Sequence, residues 1–205
     1  MTDSELIDLL SQRQALIVHC SRPGKANTGV GGLLFPGDLL NAAEICAKQH
    51  KELSCSVVWP THVKTFGAVG IVLRPRSTRS ITSVSPRDSG TSYDPQTGKR
   101  HGGGAPFSGA AVHDTFTSAS DYNEWTVTDA DTVGIFINPC EPLQVAKVID
   151  VTKVPGYDPA MEPGDLVAAQ DISIRDIMAA FPHMPVYSYC GKVLMRIIDA
   201  AGIYA

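Results

Sequence analysis

Leu6, Leu9 and Leu10 recur at helical spacing just after Thr2-Asp3-Ser4-Glu5, a run of N-cap residue types, so the chain is expected to open with a short helix. Residues 15–20, ALIVHC, form a short apolar run that reads as a buried strand. Residues 21–32, SRPGKANTGVGG, hold Pro23, Asn27 and four glycines and read as a loop. A helix is predicted over 38–53, with Asp38 as its cap and Leu39, Leu40, Ala43, Cys46 and Ala47 on one face. CSVVWP (55–60) and GAVGIVLRP (67–75) alternate too weakly for half-exposed strands, which suggests burial on both faces.

The pattern breaks at Arg76. From there to Tyr122 the chain is rich in Ser, Thr and Gly and carries Arg76, Arg79, Arg87, Lys99, Arg100 and His101. A polar stretch of this length reads as a functional or flexible loop insertion, with room for a short strand through SITSVS (80–85). Beyond it, EWTVT (124–128) and TVGIFIN (132–138) read as paired strands joined by Asp-Ala-Asp, and LQVAKVIDV (143–151) as a further strand. VPGYDPAMEPGD (154–165) is turn chemistry, and ISIRDIMAAF (172–181) reads as a helix capped by Asp171. PVYSYCG is extended, and KVLMRIIDAAG is expected to be a terminal helix. The order of elements argues for an α+β fold: a single domain over 1–205, with a mixed, mostly antiparallel sheet flanked by helices and a long polar insertion at 76–122.

Composition changes this picture little. At 205 residues, with 43% hydrophobic and 19% charged positions, the chain can bury a core of ordinary size. A net charge of −4 argues against binding nucleic acid over the whole surface and leaves room for a local basic strip. MTDSELIDLL lacks a basic leader and no apolar run reaches membrane-spanning length, so a cytoplasmic protein with no membrane partner is expected. Cys20, Cys46, Cys55, Cys140 and Cys190 include no C-x-x-C, and reduced thiols are the expectation.

Several motifs invite a chemistry that their context does not support. HGGG at 101–104 matches an oxyanion-hole pattern, but the chain has no G-x-S-x-G elbow and the motif lies in a polar loop. The loop at 21–32 has Gly24-Lys25 ahead of its other glycines, the reverse of a P-loop; Gly29, Gly31 and Gly32 can either approach a phosphate or simply turn the chain. His19 and Cys20 are strand neighbours and point to opposite faces, so a thiol nucleophile at Cys20 needs a histidine from elsewhere. No spacing of His, Cys, Asp and Glu matches a zinc or calcium site, and no metal is expected.

Residues 118–137, SASDYNEWTVTDADTVGIFI, place Glu124 between Tyr122 and Trp125 where a strand begins. One reading is structural: the aromatics pack at a sheet edge and the carboxylate is solvated. The other is catalytic. LIVHCSR with His19 and Ser21, the helix after it, a middle Ser/Thr cluster (RSTRSITS) or aromatic (Tyr93), and the late strand opening with Glu in YNEWTV together resemble the ADP-ribosyltransferase superfamily, in particular its DarT-type branch. The resemblance spans about residues 15–137 and rests on short motifs.

It implies a toxin or defence effector: a glycosyltransferase that uses NAD as substrate and modifies a macromolecular target, nucleic acid or protein, and that has a cognate antitoxin. By the same resemblance Glu124 is the catalytic carboxylate. His19, with Ser21 beside it, binds a ribose; Arg22 and Lys25 meet the pyrophosphate; Tyr93 or Tyr122 stacks on nicotinamide. Cleavage of the nicotinamide–ribose bond builds positive charge on the sugar, and a carboxylate held at the ribose 2′-hydroxyl stabilises it. The residue two before Glu124 is Tyr122 rather than an acid or amide, so the resemblance points to base, hydroxyl or thiol acceptors instead of arginine. Two alternatives stand beside it: a non-enzymatic binding protein that grips a partner through the 76–122 loop, and a Cys-dependent hydrolase centred on Cys20.

Overall fold

A computed structural model describes residues 1–21, 52–90, 92–93, 100–101, 104–118, 122–148, 167–190 and 193–198. The helix expected over 38–53 and the glycine-rich loop before it lie outside the described residues, apart from Ser21, Glu52 and Leu53 at their ends.

Helix α1, Asp3–Gln12, forms because Thr2 and Glu5 cap each other: the Glu5 N–H donates to Thr2 Oγ1 at 3.3 Å and the Thr2 N–H to Glu5 Oε2 at 2.7 Å. Leu6 is its buried anchor, with Leu9 and Leu10 packed beside it. The helix ends at Arg13, and Gln14 follows with φ +50°.

The strands are β1 (Leu16–Cys20), β2 (Leu53–Val58), β3 (Val69–Pro75), β4 (Ile81–Ser85), β5 (Ser92–Tyr93), β6 (Arg100–His101), β7 (Ala105–Pro106), β8 (Glu124–Val127), β9 (Ala130–Ile137), β10 (Gln144–Val148), β11 (Val167–Asp171), β12 (Val186–Cys190) and β13 (Val193–Ile198). Nine of them form one sheet in the order β13-β12-β9-β3-β1-β2-β8-β4-β7. Its pairs are antiparallel except β9 with β12. Gly134 permits that parallel pair, because a Cβ there would stand 2.5 Å from the Tyr187 ring. The fold is α+β, with a mixed and mostly antiparallel sheet.

The two faces differ in character. One carries Ile17, Val57, Ile71, Trp125 and Ile135, and onto it pack α1 through Leu6, helix α2 (Gly109–Thr115) through Val112, and helix α3 (Ile174–Ala180) through Ile177. Trp125 is fully buried there, its Nε1 donating to Thr115 Oγ1 at 3.1 Å. The opposite face has a smaller apolar cluster of Val18, Cys20, Val58, Val72, Phe136 and Tyr189. Beside that cluster β2, β8 and β4 present hydroxyls and one carboxylate.

Several expectations need revision. The C-terminal segment read as a helix is strand β13, which pairs with β12. Val193, Ile197 and Ile198 are β-branched, and β12 offers a free ladder for their backbone. The cap of α3 is Ser173, in a reciprocal box with Asp176, while Asp171 ends β11 and accepts from Gln144 Nε2 at 2.9 Å. Strand β9 already begins at Ala130, so the link from β8 is shorter than Asp-Ala-Asp. Within 76–122 the described residues include a 3-10 turn at Thr78–Ser80, β4 in the main sheet and α2 on the core; Val84 and Val112 supply the apolar contacts that the polar composition hides.

Candidate functional site

Glu124 is the first residue of β8, which runs between β2 and β4 and is therefore interior to the sheet. It pairs with Ser85 of β4 and is only 5% exposed. The solvated edge carboxylate that the sequence allows is not what forms. A carboxylate taken out of water needs hydrogen bonds in exchange. Ser54 Oγ donates to Oε1 at 2.8 Å, the Ser89 N–H donates to Oε2 at 3.3 Å, and Ser89 Oγ donates to the same oxygen at short range.

Ser54 belongs to β2 and also meets His19. The His19 ring, 4% exposed, has Nδ1 2.7 Å from the Ser54 carbonyl oxygen. A carbonyl only accepts, so Nδ1 carries a proton and donates to it. The registered pairing of β1 with β2 stops at Val18 and Ser56, one residue before His19. Strand alternation sends His19 to the helix-covered face with Ile17, and sends Glu124 to the other face with the Ser54 side chain. The two side chains thus reach Ser54 from different sides, one at its carbonyl and one at its hydroxyl.

Asn123 fixes the entry to β8. Its Nδ2 donates to the Val57 carbonyl and its Oδ1 accepts the Val57 N–H, each at 2.7 Å, and the residue is 1% exposed. The side chain works as an extra rung of the ladder and sets the strand position next to Glu124. On the same face as Glu124, Ser56 and Ser83 are buried, and Ser83 Oγ donates to Thr126 Oγ1 at 2.7 Å.

The other candidates are placed as follows. Ser21 is buried and its N–H donates to the Val69 carbonyl at 2.9 Å. Gly67 allows the chain to pass this point, since a Cβ there would lie 2.2 Å from the Ser21 oxygen. Tyr122 stacks on Phe66, centroids 4.8 Å apart and 9° from parallel, so one face of its ring is already taken. Tyr93 pairs through its backbone with Arg100 in a separate two-stranded ribbon. Arg22 and Lys25 lie outside the described residues. Cys20 is buried beside Val18 and Phe136. Among the described residues, no three His, Cys, Asp or Glu side chains group as a metal site. Arg76 of the 76–122 stretch is engaged by Asp129 at 3.3 Å and Asp131 at 3.0 Å, which raise its pKa: the hydrogen bond to Asp131 first, then the charge of Asp129.

Sequence reasoning passed over Ser54, Ser89 and Asn123. A signal for the first was present: Ser54-Cys55-Ser56 puts two hydroxyls on one face of an otherwise apolar strand. Ser89 had none, because its contact with Glu124 spans 35 positions and depends on the sheet. Comparison with protein-family models, with curated proteins and with solved structures yields no match for the chain.

Proposed function

We propose that the protein is an NAD-dependent ADP-ribosyltransferase acting on a macromolecular acceptor, with Glu124 as its catalytic carboxylate. The observation that carries this reading is Glu124 itself, a buried carboxylate at the entrance of β8 held in place by Ser54 and Ser89. His19 lies on the opposite face of the sheet, so the ribose contact that the resemblance implies for it is not part of the proposal.

The reaction separates nicotinamide from C1′ of the attached ribose, the bonding pair leaving with the pyridine nitrogen. Positive charge then develops on the sugar. Glu124 is suited to hold the 2′-hydroxyl and balance that charge in a site shielded from water, where such an interaction is stronger than in solution. The acceptor, a nucleic-acid or protein group, adds at C1′ and loses its proton to solvent. Ser54 keeps one carboxylate oxygen oriented while the other faces the sugar.

Glu124→Gln keeps the shape and removes the charge. Nicotinamide release from NAD is expected to fall by about 10²–10³-fold in this variant, the usual cost of losing one electrostatic stabiliser of the transition state. Arg79→Ala, which removes an exposed charge from the 76–122 stretch, is expected to leave nicotinamide release unchanged. Equal release by wild type and Glu124→Gln would remove the proposal.

A further inference from the structure

We propose that the turn at 86–90 is a clasp closed over Glu124, and that Ser89 occupies the carboxylate oxygen that an incoming hydroxyl must take over. The inference builds on the reading of Glu124 as catalytic, and it adds a closed state that has to open before chemistry.

The geometry is local and specific. The turn leaves β4 after Ser85, the residue paired with Glu124 itself. It is held by two internal hydrogen bonds, the Arg87 N–H to Ser85 Oγ at 3.4 Å and the Gly90 N–H to Asp88 Oδ1 at 3.0 Å. Gly90 has φ +58°, a conformation that disfavours any residue with a Cβ. This path brings the Ser89 N–H and hydroxyl together onto Glu124 Oε2. Arg87, Asp88 and Gly90 are exposed on its outer side, and Ser89 is half-buried beneath them.

The roles of the two serines differ. Ser54 sits on an interior strand of the sheet and donates to Oε1, so it stays in place when a ligand arrives. Ser89 sits on a five-residue turn and donates to Oε2. Clasp opening gives up the two Ser89 hydrogen bonds to Oε2, and an arriving sugar hydroxyl restores one of them while Ser54 goes on holding Oε1. Ser89 is therefore a positioning residue, one that competes with the substrate hydroxyl.

The test is chemical labelling of the full chain with a water-soluble carbodiimide and an amine, with modification of Glu124 followed by mass spectrometry. Ser89→Ala is expected to label about tenfold faster than wild type, the factor that corresponds to losing one hydrogen bond to a charged group. Ser89→Thr, which keeps the hydroxyl, is expected to label at the wild-type rate. Gly90→Ala strains the turn without touching the hydroxyl and is expected to label faster than wild type; it serves as the decisive variant if Ser89→Ala fails to fold. Equal rates for wild type, Ser89→Ala and Gly90→Ala would overturn the clasp, and so would Ser89→Thr labelling as fast as Ser89→Ala. In a second arm the KM for NAD is expected to fall in Ser89→Ala. If wild type and all variants leave NAD intact, the ADP-ribosyltransferase reading fails while the labelling still judges the clasp.

Discussion

Glu124 gives up water on entering the sheet and takes hydrogen bonds from Ser54 and Ser89 in return. Glu124 stands out in the sequence as an acid between two aromatics at a strand entrance; of its partners, Ser54 has a signal in the Ser-Cys-Ser alternation of β2 and Ser89 has none. His19 is legible in the same partial way. Its strand is predictable, but its bond to the Ser54 carbonyl lies beyond the last registered pair of β1 with β2, Val18 with Ser56, and spans 35 positions. A second residue-scale feature lies at the end of α1. Gln14 adopts φ +50°, a left-handed conformation that a Cβ makes costly. Gln14→Gly is expected to raise stability by about 0.5–1 kcal/mol, read as a higher midpoint in urea at constant slope. An unchanged or lower midpoint would show that the Gln14 side chain contributes more than its backbone costs.

At the scale of elements, helix α1 and helix α3 use the same device, a hydroxyl cap and an acid three residues on. Glu5 has its pKa lowered, first by the Thr2 backbone N–H and then by the Thr2 hydroxyl; Asp176 is lowered by the Ser173 hydroxyl and then its backbone N–H. A carboxylate whose folded pKa lies below its unfolded one adds stability above the unfolded value and loses it as pH falls through the folded value. Both caps are therefore expected to weaken on acidification below the ordinary carboxylate range. The urea midpoint of the wild type should fall between about pH 5 and about pH 3, and the fall should be shallower in Glu5→Gln. Parallel pH profiles for the two proteins would contradict the assignment.

The strands show why elements are easier to read than their ends. Runs such as LSCSVV and VGIVLRP declare themselves by apolar content, whereas KVLMRII fits either a helix or a strand. Its choice is made by β12, a partner that the local sequence does not reveal.

At the scale of the whole molecule, the α+β class follows from the order of elements, while the strand order β3-β1-β2-β8-β4 does not. That order sets β2 between the His19 and Glu124 strands, so the Ser54 hydroxyl meets Glu124 on one face while His19, on the other, reaches only the Ser54 carbonyl. The contrast between faces has the same origin. Helices and large apolar residues occupy one side, and hydroxyls around a carboxylate occupy part of the other. A polar strip buried on the face of a central sheet lowers stability unless its hydrogen bonds are made, and here the Ser54–Glu124, Ser89–Glu124 and Ser83–Thr126 bonds make them.

The account meets its most direct test in a transfer assay. The full chain is incubated with NAD labelled on the adenylate and with extracts containing nucleic acid and protein, and label on macromolecules is counted for wild type and Glu124→Gln. Transfer by wild type, reduced at least about a hundredfold in Glu124→Gln, is the expected result. Equal labelling by the two proteins, or none by wild type under conditions where NAD is bound, would contradict the assignment of Glu124 as the catalytic carboxylate.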